Sequence, residues 1–97
     1  MWVLQTAEET GRKPKTFRLP PGAVKTFGRA PRADFIVNTV MVSRLHCRVS
    51  ASKEHLEVTD LDSTNGTFVN GRRVDRGVLA PGDRLKIGRI ELTVTRI

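Results

Sequence analysis

Ninety-seven residues with 38% apolar side chains suffice for one domain with a modest core and leave no room for two, so residues 1–97 read as a single unit. No stretch approaches the roughly 18 consecutive apolar residues of a membrane span, and the opening MWVLQTAEET has neither the basic start nor the apolar run of a secretion signal. Seventeen Lys and Arg against ten Asp and Glu give a net charge of +7, which points to an anionic partner: nucleic acid, an anionic membrane surface or a phosphorylated protein.

Along the chain, period-two alternation recurs and helical periodicity is nearly absent. Trp2 and Leu4 share one face of a first strand. The basic run GRKPKTFR (11–18) opens with a turn signal, and Phe17 then alternates with Leu19. After the turns LPPG and GRAPRAD, Phe35 alternates with Val37. RLHCRVSA places Leu45, Cys47, Val49 and Ala51 together, so His46 and Arg48 are expected to point the other way. Leu56 pairs with Val58 in an acidic stretch, Glu54 to Asp62, that contains four acids and no Lys or Arg. Two Asn-Gly pairs, 65–66 and 70–71, read as turns. The second sits between TFV and RRV as a plain hairpin, with Arg72, Arg73 and Arg76 on a solvated surface. Beyond the turn APGD, Leu85 pairs with Ile87, and Ile90, Leu92 and Val94 oppose Glu91, Thr93 and Thr95. About ten short strands leave no space for crossover helices, so the expected fold is all-β: a two-sheet antiparallel sandwich. No repeat, low-complexity segment or linker is visible, and the last strand runs to Ile97, which fits an N-terminal piece of a longer protein.

Cys47 is the only cysteine, so no internal disulfide forms, and its alternation with Leu45 and Val49 makes it a core residue. With His46 and His55 it matches no structural zinc spacing, so neither metal nor cofactor is expected. A reducing setting, cytoplasmic or else nuclear in a eukaryote, fits this pattern. The sequon NGT at 65–67 is irrelevant without secretion. Ser43, His46 and Asp62 lack the elbow and oxyanion-hole motifs of a catalytic triad, so no enzyme activity is expected.

Loops at one end of a sandwich come together on a rigid support. Three here carry small polar or basic groups: FGRAPRAD with Gly28 and Arg29, VMVSRLH with Ser43, Arg44 and His46, and DSTNGT with Thr64 and Asn65. Arginine is a fixed cation whose planar fork suits phosphate. Ser43 and Thr64 offer hydroxyls, Arg44 a second cation, and Asn65 a donor and acceptor able to read peptide backbone. A phosphate monoester presents about 1.5–2 negative charges and three acceptor oxygens. Three or four charge-assisted bonds of roughly 1.5–3 kcal/mol each, less ordering costs, reach micromolar affinity near −8 kcal/mol. The inventory therefore suffices for a phosphopeptide, provided the loops converge.

Gly-Arg at 28–29, SRLH at 43–46 and DSTNGTFVNG at 62–71, in that order and spacing, resemble the signature of the forkhead-associated (FHA) domain, and LAPGDRLKIG resembles its penultimate-strand region. The resemblance covers essentially the whole chain. It implies an eleven-strand sandwich of the FHA/SMAD type that binds phosphothreonine peptides. On that reading Arg29, Ser43 and Thr64 contact the phosphate, Arg44 lies on its side, and Asn65 holds the peptide backbone. Gly28 permits close approach, His46 braces the Ser43 loop, and Gly66 supports the turn that presents Thr64 and Asn65. Met41, beside Val40, would help to choose the residue three places after phosphothreonine, with an apolar preference. The opening Met-Trp is also similar to nibrin-type repair proteins, while DSTNGTFVNGRRV and LAPGDRLKIG are as similar to bacterial FHA proteins of Ser/Thr kinase signalling, the preferred comparison.

The leading expectation is thus a non-enzymatic module that recruits a phosphothreonine-containing protein, with no metal and no membrane. The alternatives are a phosphate-independent interaction or dimerisation domain and a basic nucleic-acid binder. The second is disfavoured because the few aromatics, Phe17, Phe27, Phe35 and Phe68 among them, occupy alternating apolar positions rather than a stacking platform.

Overall fold

Alternating apolar side chains close into two facing sheets in the computed structural model, which describes residues 1–7 and 13–97. The start of the basic run at 11–12, with its turn signal, lies outside the described residues. The strands are β1 (Trp2–Thr6), β2 (Thr16–Leu19), β3 (Val24–Gly28), β4 (Phe35–Ile36), β5 (Cys47–Ala51), β6 (Leu56–Asp60), β7 (Thr67–Val69), β8 (Arg72–Val74), β9 (Arg76–Leu79), β10 (Arg84–Ile87) and β11 (Ile90–Arg96). One sheet has the order β2-β1-β11-β10-β7-β8 and the other β4-β3-β5-β6-β9. The expected all-β sandwich is present, with the eleven strands that the resemblance implies among the described residues and one departure: β4 runs parallel to β3. The loop after β3 returns the chain beside its own start, and β4 is held there by only two residues.

Register decides which side chains meet between the sheets. Leu4 pairs with Val94, and Leu92 with Leu85, so their side chains point to the same face. Opposite them, Phe27, Cys47, Val49, Val58 and Leu79 are buried. Phe17 of one sheet meets Phe27 and Phe35 of the other at centroid distances of 5.0 and 4.9 Å, with Phe27 in an edge-on arrangement. Such aromatic pairs add about 0.5–1.5 kcal/mol each beyond area burial. Trp2 is buried as expected, and its indole N–H donates to Ser52 O at 2.8 Å.

One expectation needs correction. The alternation in RLHCRVSA fails at its start: β5 begins at Cys47, and His46 is fully buried rather than facing outward. The carbonyls of Ser43 and Arg44 accept from Arg29 N and Ala30 N, so this segment is tied to the β3–β4 loop and bends, which turns the imidazole inward. The first Asn-Gly pair does turn the chain, but it closes no hairpin, because β6 and β7 lie in different sheets. Asn70 (φ 50°) and Gly71 (φ 82°) are both left-handed, the pattern of a type I′ hairpin; at the first pair only Gly66 is (φ 90°).

The Cys47 thiol, buried in this core, is pushed up to about 12 by burial and then by the charge of Asp60. Alkylation by iodoacetamide at pH 8 is therefore expected to be negligible in the native state and to track unfolding in a urea titration. Fast labelling without denaturant would show the core to be open.

Candidate functional site

Paired strand ends place four loops at one end of the sandwich. Phe27, Cys47 and Asp60 are register partners in one sheet, and Ile87 pairs with both Thr67 and Ile90 in the other. The chain segments adjoining these residues are 29–34, 37–46, 61–66 and the turn 88–89.

The first two are packed backbone against backbone. A Cβ on Gly28 would lie 2.0 Å from Arg44 O, so only glycine allows this approach. Arg29 N donates to Ser43 O at 2.9 Å, and Arg29 Nε to Val42 O at 3.1 Å. The terminal nitrogens of the Arg29 guanidinium make no hydrogen bond or ion pair among the described residues, and the residue is exposed.

His46 joins the second loop to the third. Its Nδ1 accepts from Ser43 N at 3.1 Å and its Nε2 bonds Gly66 O at 2.8 Å. An imidazole that accepts at Nδ1 donates at Nε2, so the network selects the neutral Nε2–H tautomer. Ser43 Oγ then accepts from Thr64 N at 3.0 Å. Asn65 Nδ2 donates to Met41 O at 3.0 Å. Arg29, Ser43, Thr64 and Asn65 are thus brought together, and the hydroxyl hydrogen of Ser43, the Thr64 hydroxyl and the Asn65 carbonyl oxygen remain available. The bonds of Ser43 and His46 are not those of a triad, since it is the Ser43 amide that meets the ring and the ring's second partner is a backbone carbonyl.

Arg44 lines a depression with Arg29, Arg32 and Asn38. Met41 lines a different groove, with Arg29, Asn38, Thr39 and Arg89. Met41 backbone is also abutted by Gly88, where a Cβ would lie 2.9 Å from Met41 O.

Sequence reasoning missed three supports. Asp60 accepts from Ser63 Oγ and Thr67 Oγ1, both at 2.6 Å, and from Ser63 N at 3.1 Å, while Ser63 Oγ accepts from Gly66 N at 3.0 Å. The spacing Asp-x-x-Ser was a visible signal for this side-chain-closed turn. Arg73 folds over Gly66, where a Cβ would lie 2.8 Å from its Nε, so it is more than part of a solvated hairpin. Arg89 reaches the Met41 groove from the other sheet, and nothing local in the sequence marks it.

Burial raises the Asp60 carboxyl, but the Ser63 and Thr67 hydroxyls and the Ser63 amide outweigh it and hold the group below its ordinary 3.8. A depressed folded value means that this stabilisation is full above the unfolded pKa, about 3.9, and is lost as pH falls through the folded one. Asp60→Asn is expected to lower stability by about 2 kcal/mol near neutrality. The gap from the parent should narrow in thermal melts taken below pH 4; a gap independent of pH would contradict the network.

Taken together, this end offers a guanidinium whose terminal nitrogens have no partner among the described residues, two hydroxyls and an amide oxygen around backbone that is already hydrogen-bonded, an arrangement able to receive a small polyoxyanion and the strand carrying it. Comparison with known proteins agrees. The FHA domain family model matches residues 25–88. The chain is 46% identical over 77 residues to the ABC transporter ATP-binding/permease protein Rv1747 of Mycobacterium tuberculosis, covering 79% of this chain and 9% of that protein. It is 40% identical over 70 residues to the glycogen accumulation regulator GarA of the same organism, covering 72% of this chain and 43% of GarA. The matched part therefore spans less than half the length of either relative. A domain solved in work on phosphothreonine-dependent FHA domain interactions superposes with a TM-score of 0.86 at 33% identity, covering 99% of this chain and 96% of the other. The chain belongs to the FHA domain family.

Proposed function

We propose that this domain is a phosphothreonine-dependent binding module in Ser/Thr kinase signalling, and that it recruits a phosphorylated protein through the loops at one end of the sandwich. The observation that carries the reading is the link Arg29–Ser43–Thr64: the Arg29 amide on Ser43 O, and the Ser43 hydroxyl on the Thr64 amide. In the bound state the Arg29 guanidinium takes two phosphate oxygens, and the Ser43 and Thr64 hydroxyls donate to the rest. Asn65 offers its carbonyl oxygen and remaining amide hydrogen to the peptide backbone. Arg44 contributes a flanking charge, and Met41 a contact to residues after the phosphothreonine. Gly28, His46 and Gly66 act on the backbone and do not touch the ligand. The solved neighbour studied for phosphothreonine-dependent interactions supports the ligand class. GarA, named a regulator, supports a role in binding rather than catalysis. A cytoplasmic setting, where Ser/Thr kinases and their substrates meet, suits the reading.

Calorimetry with a phosphothreonine peptide, its phosphoserine and unphosphorylated forms and a DNA duplex, at two salt concentrations, tests this. Micromolar binding to the phosphothreonine peptide alone is expected. Affinity should rise as pH passes about 6, where the monoester gains its second charge. Arg29→Ala should weaken binding at least tenfold with the fold intact, as expected for removing one partner of a charge-assisted pair that is worth roughly 1.5–3 kcal/mol. Equal binding of plain and phosphorylated peptides would overturn the proposal, and steeply salt-dependent binding of the duplex alone would favour the nucleic-acid reading.

A further inference from the structure

β9 (Arg76–Leu79) is one edge of its sheet, away from the phosphate end, and its neighbours fix which of its backbone groups are free. Asp60 N donates to Asp75 O at 2.8 Å, and Leu61 N to His46 O at 3.0 Å. Even-numbered residues of β6 therefore bond toward β9 and odd-numbered ones toward β5. Within β9, Gly77 and Leu79 face β6, so Arg76 and Val78 turn their N–H and C=O groups outward. Among the described residues no further hydrogen bond reaches those groups. On the far side of the same sheet, where the short β4 stops, the outward amide of Thr26 is capped by Asp34 Oδ2 at 2.9 Å. An edge without such a cap is a template for another strand.

Gly77 adds a notch beside this edge. A Cβ there would make only ordinary contacts, 3.7 Å to Val69 and to Val74, so the hollow comes from the missing side chain. It measures about 400 Å³, lies between the edge strands β8 and β9, and has Val69, Val74 and Val78 in its walls. Its charged walls are Arg72 and Asp83. Asp83 is already engaged by Ala80 N at 2.8 Å and Asn70 Nδ2 at 3.1 Å, whereas Arg72 makes no ion pair among the described residues. On the outer face of the strand stand Arg76 and Val78, the latter 59% exposed. Arg76 reaches Glu57 only at 3.8 Å between exposed side chains, a contact too weak to occupy it. The free charges at this edge are thus positive, and they call for an acidic residue in whatever covers it.

We infer that β9 is a docking edge for an extended segment of a partner protein, which adds to the sheet as an antiparallel strand. Its backbone bonds the outward groups of Arg76 and Val78, as in other cases of strand addition. Its residue opposite Gly77 points inward and fills the notch with an apolar side chain. The residues on either side lie on the outer face, an acid beside Arg76 and a β-branched residue beside Val78. Read from its N-terminus, the segment is apolar, apolar, acidic. A second copy of this chain fits less well, because β9 against β9 sets Gly77 opposite Gly77 and leaves both notches empty. The edge needs no phosphate, so this inference is independent of the phosphothreonine reading.

The test is an NMR titration of the domain with the unphosphorylated peptide acetyl-Thr-Val-Ile-Glu-Thr-amide, beside controls with Lys for Glu or Gly for Ile. The Arg76 and Val78 amides should shift and gain protection from exchange, while those of residues 29–46 and 61–66 stay in place. The Gly control should bind at least about fivefold more weakly and the Lys control about two- to fivefold. Val78→Pro deletes an outward N–H that the β6–β9 ladder does not use, so it should abolish the response. Arg76→Glu, an exposed change, should reverse the preference toward the Lys peptide. Equal response to all three peptides, shifts confined to the loops at the phosphate end, or binding unaltered in both variants would overturn the inference. Concentration-dependent sedimentation of the free domain, with the Arg76 and Val78 amides shifting in step, would overturn it in favour of a second copy.

Discussion

The imidazole of His46 is the joint on which the binding end depends. It is fully buried and bonded at both nitrogens, to the Ser43 amide on one side and the Gly66 carbonyl on the other. These partners belong to loops that leave different strands, and Gly66 leads directly into the second sheet. Without the ring, a part-buried amide and a buried carbonyl would both be left unpaired, at about 1–3 kcal/mol for a fully buried group and less for a partly solvated one. The side chains proposed to touch ligand are thus set by one that does not.

Around this joint, polar side chains close one loop on itself and tie the others to one another. Asp60 gathers Ser63 and Thr67, Asn65 holds Met41, and Arg29 holds Val42. The loops are hydrogen-bonded to one another without any ligand, and ties of this kind lower the ordering cost of binding. Preorganisation of this kind lets a site of a few hydrogen bonds discriminate between phosphorylated and plain peptide. The net charge of +7 would add long-range attraction but little selectivity.

Much of this was legible in the sequence, because a half-buried strand repeats every two residues and the sandwich follows from that period. The runs at 56–60 and 90–96 and the hairpin at Asn70-Gly71 are found as the pattern indicates. That Arg29, Ser43, Thr64 and Asn65 lie near one another was implied only by the motif resemblance. What failed was local inference where a tertiary contact prevails. His46 turns inward because the preceding carbonyls are tied to Arg29 and Ala30. Asn65-Gly66 crosses between sheets, although the same dipeptide five residues later makes a hairpin. Arg89 joins the groove from a turn about fifty residues away in sequence from Met41, through a packing contact with no sequence period at all.

Neutral, Nε2-protonated His46 ties the loops together, and ligand is not expected to change its state. A long-range proton–nitrogen correlation spectrum of the His46 ring at neutral pH measures this directly. A single Nε2–H tautomer, slow to exchange and unchanged when a phosphothreonine peptide is added, is expected. A ring protonated at Nδ1, or one that switches state on binding, would contradict it.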